Sequence, residues 1–430
     1  MVRNKALSLL TATFVFSLGL STLAASAFAV PSEQILYSFC PASGCSDGEG
    51  PFAPLIFDAA GNLYGTTEEG GAYGSGMVFE LSPGVHGGWT EKVLHSFNND
   101  GTDGYSPTSG LVFDAAGNLY GTTTVGGVYD WGSVFELVAG VGGQWTEHVL
   151  HSFQNDGNDG TVPFLGTLIF DGSGNLYGTT TQGGGGQGCT FGCGTVFELT
   201  PGANGQWTEK ILHRFVGDDG SQPQSGLIWD THGNLYGTTW AGGTAGFGAV
   251  FELSPGVNTE WQEKVLHSFL NNDQDGTSPL AALIFDANGN LYGTTKWGGT
   301  GGAGTVFELM RVSSAASAQW PERVLHSFQD NGADGFLPYA SLAMDAAGNL
   351  YGTTYDGGAS RSCGAAGCGT VFVLVPNMQG QWIEHLLHSF SILDGSNPLA
   401  GLIFDPNGNL YGTTGNGGSY GGGTVFEIVP

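Results

Sequence analysis

Basic residues are scarce in this 430-residue chain: 10 Lys and Arg stand against 38 Asp and Glu, for a formal net charge of -28. Nucleic acid and anionic membranes both require a basic footprint, so neither is expected as a partner. Charged residues make up only 11% of the chain, and helix-favouring runs of Ala, Leu, Glu and Lys are missing beyond the N-terminal segment. Their absence argues against an α-helical fold. Long apolar runs are also missing after the first 29 residues, so no membrane span is expected in the mature chain. Cysteine is sparse, with six residues in three close pairs.

What is present is glycine, 77 residues of it, together with frequent aromatics. That is the composition of many short strands joined by turns. The first 29 residues differ from the rest. Arg3 and Lys5 precede an apolar stretch broken by Ser and Thr, and the segment ends on Ala27-Phe28-Ala29, the three-part pattern of a cleavable secretory signal. The expected domains are therefore a signal peptide over 1–29 and one exported domain over 30–430, periplasmic or extracellular, with a monomer favoured. In that setting Cys40 with Cys45, Cys189 with Cys193, and Cys363 with Cys368 read as disulfides. Short Cys spacings also suit zinc, but the pairs lie far apart in sequence and no histidine shares their loops. Each bridge would close a tiny loop and add roughly 2 kcal/mol in the chain-entropy model, enough to pin a loop but not to create a core.

The heptapeptide GNLYGTT occurs at Gly61, Gly117, Gly174, Gly233, Gly289, Gly348 and Gly408, at spacings of 56, 57, 59, 56, 59 and 60 residues. Such a period suits a four-stranded blade. The first unit contains four strand-like runs, PLIFD, NLYGTT, MVFEL and WTEKVLHSF, separated by turn signals, and Gly61 is expected at positive φ in a tight hairpin. The expected mature chain begins with ILYSF at 35–39, a copy of the fourth run, and finishes with VFEIV, a copy of the third. Each end supplies what the other lacks. The fold expected is all-β: a seven-bladed β-propeller of four-stranded antiparallel blades, closed by pairing the N- and C-terminal strands in one blade.

The combined unit DxxGNLYGTT, a glycine-rich loop, GxVFEL and WxExVLHSF resembles the repeat of the GloVer-type tandem-repeat family of exported bacterial proteins, over essentially all of 35–430. The shorter DxxGNLY element is similar to repeats of sensor-type and NHL-type propellers. The resemblance implies a propeller-like repeat and no known catalytic residues. Members often carry a C-terminal surface anchor, whereas this chain ends with its last blade, so stable surface attachment is not expected.

With WTEKVLHSF outermost, LIFD lines the channel, and the glycine-rich loops share one face with the Asp-rich loops between blades. That face holds the pairs Asp100 and Asp103, Asp156 and Asp159, Asp218 and Asp219, Asp273 and Asp275, and Asp330 and Asp334, opposed only by Lys296 and Arg361. Clustered carboxylates on flexible loops are ligands of the kind Ca²⁺ takes, so Ca²⁺ is the candidate cofactor; Asx-turns on a solvated face are the plainer reading. The recurring His95, His151, His213, His267, His326 and His388 are expected to pack between blades, and Asp58 and its copies to cap turns. Catalysis would need a break in the repeat, which the sequence does not display as a Ser-His-Asp cluster. A hydrolase or lyase using carboxylates at the channel mouth, and a non-catalytic envelope protein, remain as alternatives to a binding module for a glycan or protein. Candidate ligand-binding residues are the non-repeated aromatics of the loop face: Trp240, Trp297 and Tyr355, just past GTT, and Trp131.

Overall fold

The repeated Asp sets the first hairpin of every blade. Asp58 accepts the N–H groups of Ala60 and Asn62 at 2.8 and 2.9 Å on Oδ1, and the Asn62 amide and Tyr64 hydroxyl on Oδ2. Burial works against the charged carboxyl, but these hydrogen bonds outweigh it and hold Asp58 below the usual carboxylate range. Gly61 completes the turn at φ 87°. The strand that follows, Leu63–Thr67, is buried at every residue because both faces of a blade pack against neighbours.

The structure, a computed structural model, describes residues 31–430 apart from 42, 86, 186–187, 258–259 and 313–318. The expected signal segment, 1–29, lies outside the described residues. Among these the chain forms seven four-stranded antiparallel sheets. Blade 1 runs outward through Ile56–Phe57, Leu63–Thr67, Met77–Pro83 and Trp89–Ser96. Blades 2 to 6 repeat that order. Blade 7 takes Ile403–Phe404, Leu410–Thr414 and Thr424–Val429 from the C-terminal end and its outer strand, Ser32–Ser38, from the N-terminal end. Ser32 faces Val429 and Ile35 faces Phe426 in the closing pair. The expected seven-bladed propeller and its closure are therefore both present.

Adjacent blades share a core built from two repeated phenylalanines. Phe97 of blade 1 meets Phe135 of blade 2 edge to face at 5.1 Å, and the same pairing recurs around the ring to Phe39 of blade 7 on Phe79 of blade 1 at 5.2 Å. Such pairs add about 0.5–1.5 kcal/mol beyond the area they bury. The glycine of GTT makes room for them: a Cβ on Gly65 would stand 2.6 Å from Phe79 Cζ.

The loop face is braced by backbone. In every blade the residue before the repeated proline lies at positive φ, from Gly50 and Ser106 to Val162, Gln222, Ser278, Leu337 and Asn397. Its N–H donates to the glycine-loop end of the preceding blade at 2.8–3.0 Å, and its C=O accepts the N–H of the residue after GTT at 2.9–3.1 Å. The entering loop also pairs with the glycine-rich loop of its own blade, as a two-stranded ladder in blades 2, 3, 5 and 6 and as a single bridge in blades 1, 4 and 7. The three expected disulfides, Cys40–Cys45, Cys189–Cys193 and Cys363–Cys368, sit in this layer. Cys193 and Cys368 themselves supply the carbonyls that receive the bracing N–H groups of Gln222 and Asn397.

Closure can be tested at two depths. Removing residues 31–39 takes away the outer strand of blade 7 and the buried Phe39, and leaves Thr424–Val429 as an open edge; a fall in melting temperature of about 10 °C or more, or aggregation, is expected in calorimetry. Gly423 has φ 95°, and a Cβ there would stand 2.4 Å from the Thr414 carbonyl oxygen and 2.6 Å from Pro51 Cδ, whereas Gly61 at φ 87° has nothing within 4 Å. Gly423→Ala should therefore cost about 2 kcal/mol or more, and Gly61→Ala about 1 kcal/mol, the backbone cost alone. Equal losses would show that the blade 7 to blade 1 contact is not tight.

Candidate ligand-binding site

Two rings of side chains meet where the channel opens on the braced face. One residue per blade follows the repeated proline: Phe52, Thr108, Phe164, Gln224, Leu280, Tyr339 and Leu399. The other follows GTT: Glu68, Thr124, Thr181, Trp240, Lys296, Tyr355 and Gly415. The residues after GTT make the same backbone hydrogen bond in every blade, yet the side chains of both rings differ from blade to blade. Most of both rings line a bowl of about 410 Å³ at the mouth. Beneath it the channel narrows to about 190 Å³, lined largely by small residues such as Gly226, Ala282, Ser341 and Gly401.

The bowl is lopsided. Trp240, Lys296, Tyr339 and Tyr355 come from blades 4, 5 and 6, and Phe52, Glu68 and Phe164 from blades 1 and 3. Tyr339 and Tyr355 meet edge to face at 5.3 Å. The Lys296 ammonium stands 4.9 Å from the Tyr339 ring centroid and 5.4 Å from that of Trp297. An ammonium over ring faces is held by the quadrupole and keeps its N–H donors available. Glu68 is half-buried, and burial, then the neighbouring Glu69, push its carboxyl above the usual range.

The structure brings together two of the four expected aromatics. Trp240 and Tyr355 line the bowl. Trp297 stands one residue further along, paired with Thr277 in the loop ladder and packed edge to face on Phe336 at 5.8 Å. It meets the site through Lys296. Trp131 lies at the end of its glycine-rich loop, where its carbonyl accepts the Val162 N–H and its ring packs on the core between blades 2 and 3. Phe52, Phe164 and Tyr339 are the residues that sequence reasoning passed over; each directly follows the repeated proline, which is the signal that would have found them.

The acidic residues expected to gather around calcium divide into two sets. Asp100 and Asp156 are exposed and cap their own turns, each accepting two backbone N–H groups on Oδ1. Asp218, Asp273 and Asp330 are exposed as well. Asp103, Asp159, Asp219, Asp275 and Asp334 instead turn inward at the blade edges, each within 3.0–3.5 Å of a repeated histidine. Each also receives a loop N–H, as Asp275 does from Leu270 at 2.8 Å. The third member of each cluster is the Glu that follows the repeated Trp on the next blade: Glu147, Glu209, Glu263, Glu322 or Glu384. These clusters lie at the rim of the ring, away from the bowl.

The Gloeobacter/Verrucomicrobia repeat model matches residues 15–191, 186–363 and 317–430. The chain belongs to this repeat family. No curated protein matches it. Among solved structures, this family member is similar in fold to the extracellular domain of a B. thetaiotaomicron protein described as the hybrid two-component system BT3049, at 12% identity and a TM-score of 0.52. The match covers 93% of this chain and 41% of that one, so the chain spans less than half the length of the protein it resembles. Three disulfides and an extracellular structural neighbour fit an exported protein, and no helix among the described residues is long and apolar enough to cross a membrane.

The division of the aromatics predicts separable effects. Trp131→Ala should cost about 2 kcal/mol, since a half-buried ring leaves the core between blades 2 and 3, while Trp240→Ala should alter the melting temperature little. A larger thermal loss for Trp240→Ala than for Trp131→Ala would place Trp240 in the core and remove it from the site.

Proposed function

We propose that this propeller is an exported binding module that recognises a saccharide in the bowl at its channel mouth. The observation that carries the reading is where the repeat breaks. Side chains that build the blades recur around the ring, while the two positions per blade next to the brace, eleven of which line the bowl, hold Trp, Tyr, Phe, Lys, Glu, Gln, Thr, Leu and Gly in no repeating order. A scaffold held constant under a varied surface is the general arrangement of a recognition site. Trp240 and Tyr355 offer ring faces to the apolar face of a sugar, and Lys296, Gln224 and Glu68 offer donors and acceptors to its hydroxyl oxygens. In this reading Trp297 is a positioning residue that holds Lys296.

Binding without turnover is favoured over hydrolysis by the carboxylate inventory. A glycosidase of the usual kind needs two acids flanking the scissile bond, and among the described residues lining the bowl Glu68 is the one carboxylate. The export of the chain after cleavage near Val30 belongs to the same proposal.

The test is a glycan array on the mature chain followed by calorimetric titration of the best oligosaccharide. Trp240→Ala and Tyr355→Ala are each expected to weaken binding by about tenfold or more, the loss of one stacking contact of about 1.5 kcal/mol, with melting temperature nearly unchanged. Sugar cleavage abolished by Glu68→Gln would replace the binding reading with catalysis. Unaltered affinity in both aromatic variants would move the site elsewhere.

A further inference from the structure

The rim clusters place buried carboxylates together with too few donors. At the junction of blades 4 and 5, Asp275 is 5% exposed. Its Oδ2 accepts the Leu270 N–H and faces His267 Nε2 at 3.4 Å, but its Oδ1 has no conventional donor. Glu322, from the outer strand of blade 5, lies within hydrogen-bond reach of Asp275, and its Oε1 is likewise buried without a donor. The junctions at Glu147 and Glu209 repeat this arrangement, and at Glu384 the Glu Oε1 is again without a donor while Asp334 Oδ1 accepts the Gly335 N–H at 2.7 Å. Two ionised carboxylates cannot share such a space unless something positive lies between them.

We propose that a proton is that positive charge: the Glu on the outer strand of one blade is a neutral carboxylic acid that donates to the loop Asp entering that blade, so the ring is clasped at its rim by acid-to-carboxylate hydrogen bonds. Asp159 then has its donors in order, from the loop backbone, from the imidazole and from the glutamic acid, and Asp103 and Asp275 have theirs from the loop backbone and from the acid. The unpartnered oxygens on both sides are accounted for by the one hydrogen. Loss of that proton to solvent base leaves two carboxylates facing each other, and the junction loosens.

The seventh junction separates this reading from a metal site. Histidine, aspartate and glutamate together form a donor set for a first-row divalent cation. Where blade 7 meets blade 1, however, Tyr37 stands in the histidine position and donates its hydroxyl to Asp47 at 2.8 Å, with Glu91 opposite. Tyrosine preserves the hydrogen bond to Asp and discards the neutral nitrogen ligand. What all seven junctions keep is thus the loop Asp with a Glu facing it, and not the nitrogen ligand.

The surroundings of each Glu agree. Burial, then Asp103 and Asp100, push Glu147 up to about 8. Burial and Asp275 push Glu322 up to about 9, and burial with Asp159 and Asp156 takes Glu209 to about 9 against the opposing Arg214. Burial and Asp334 take Glu384 to about 7 against His326, burial and Asp219 take Glu263 to about 7, and burial and Asp47 take Glu91 to about 7. Glu33, facing His388 and Asp394, rises to about 6, chiefly through burial. The histidines of the other junctions, His95, His151, His213 and His267, face the same Asp residues. A glutamate raised in the folded state favours folding fully below its unfolded value, near 4.3, and loses that contribution as pH climbs through the folded value. The window of weakening therefore runs from about pH 5 to pH 9.

The experiment compares the mature chain with the triple variant Glu147→Gln, Glu209→Gln, Glu322→Gln, in which an amide N–H replaces the acid O–H as donor to Asp. The wild-type melting temperature should fall as pH rises from 6 to 9, each clasp changing the folding constant by up to tenfold per pH unit. The variant should show a flatter profile and melt above wild type at pH 9. Parallel profiles would overturn the proposal. So would a zinc-, manganese- or calcium-dependent rise in melting temperature that chelator reverses and the variant lacks, which would put a cation in the proton's place. Should the variant fail to fold, infrared spectroscopy of the wild-type protein decides: a carbonyl stretch from protonated carboxyl groups at pH 7 that is lost by about pH 10, while the amide bands persist, supports the clasp, and its absence at pH 7 rejects it.

Discussion

One residue per blade ties the ring together, and it does so with backbone alone. The residue before the repeated proline gives its N–H to the preceding blade and its C=O to the residue after GTT in its own blade. Both groups face inward on a layer where an unpaired polar group would cost about 1–3 kcal/mol. To point both ways, that residue must adopt positive φ, which is costly for Val162, Leu337 and Gln222. The strain is tolerable because the site is held from two sides. Proline follows, and its ring fills the space left by the glycine that opens the third strand of the preceding blade, as Pro107 does against Gly76. Threonine hydroxyls reinforce the same seam: Thr238 reaches the Ala281 carbonyl of the next blade at 3.1 Å, and Thr413 reaches Ala53 across the closure at 3.3 Å.

Because this bracing uses main chain, it leaves the adjoining side chains unconstrained. The residue after GTT contributes only its N–H to the brace, so Glu68, Trp240, Lys296, Tyr355 and Gly415 can occupy equivalent positions without altering the fold. The residue after proline has the same latitude. The clefts on the opposite, hairpin face are lined by the repeated Asp, Asn and Gly of the turns, whose side chains are already committed to capping. Variation there would cost a turn. Separation of a committed face from a free one is what lets a sevenfold structure carry a site with no symmetry.

The blades and their closure were legible because each rests on local patterns repeated seven times: an Asx-capped hairpin, a positive-φ glycine, and strands whose order is set by short connections. The disulfides were legible from spacing. The brace was not, since a residue before proline is ordinarily biased to extended backbone, and only partners some 30 and 18 residues away in the chain, such as Ser75 and Thr124 for Ser106, hold it at positive φ. Trp297 stands one residue of register beyond the bowl-lining position. Successive strand side chains point to opposite sides, so a Trp one step beyond the position of Trp240 turns away from the bowl. The Asp pairs looked equivalent in NDGTDG and NDGNDG, yet the first caps a turn and the second faces histidine; the discriminating partner, Glu147 for Asp103, lies on the next blade and leaves no local mark.

The closing junction differs from the other six in the direction that closure demands. The outer strand of blade 7, Ser32–Ser38, comes from the opposite end of the chain to its pairing partner Thr424–Val429, whereas in every other blade the outer strand continues directly from the third. Tyr37 in place of histidine gives Asp47 a donor that burial and the surrounding acids push further from ionisation, so this bond persists across the neutral range. Asp47 also accepts the Cys40 N–H, and the Cys40–Cys45 bridge lies in the same loop. The junction that ties this strand to blade 1 thus carries a non-titrating donor, a backbone donor and a disulfide together. Loosening with rising pH is then expected to begin where the glutamate is least raised, at Glu33 and then at Glu91, Glu263 and Glu384, and to reach Glu209 and Glu322 last, while the Tyr37 bond to Asp47 still holds the closing strand to the loop of blade 1.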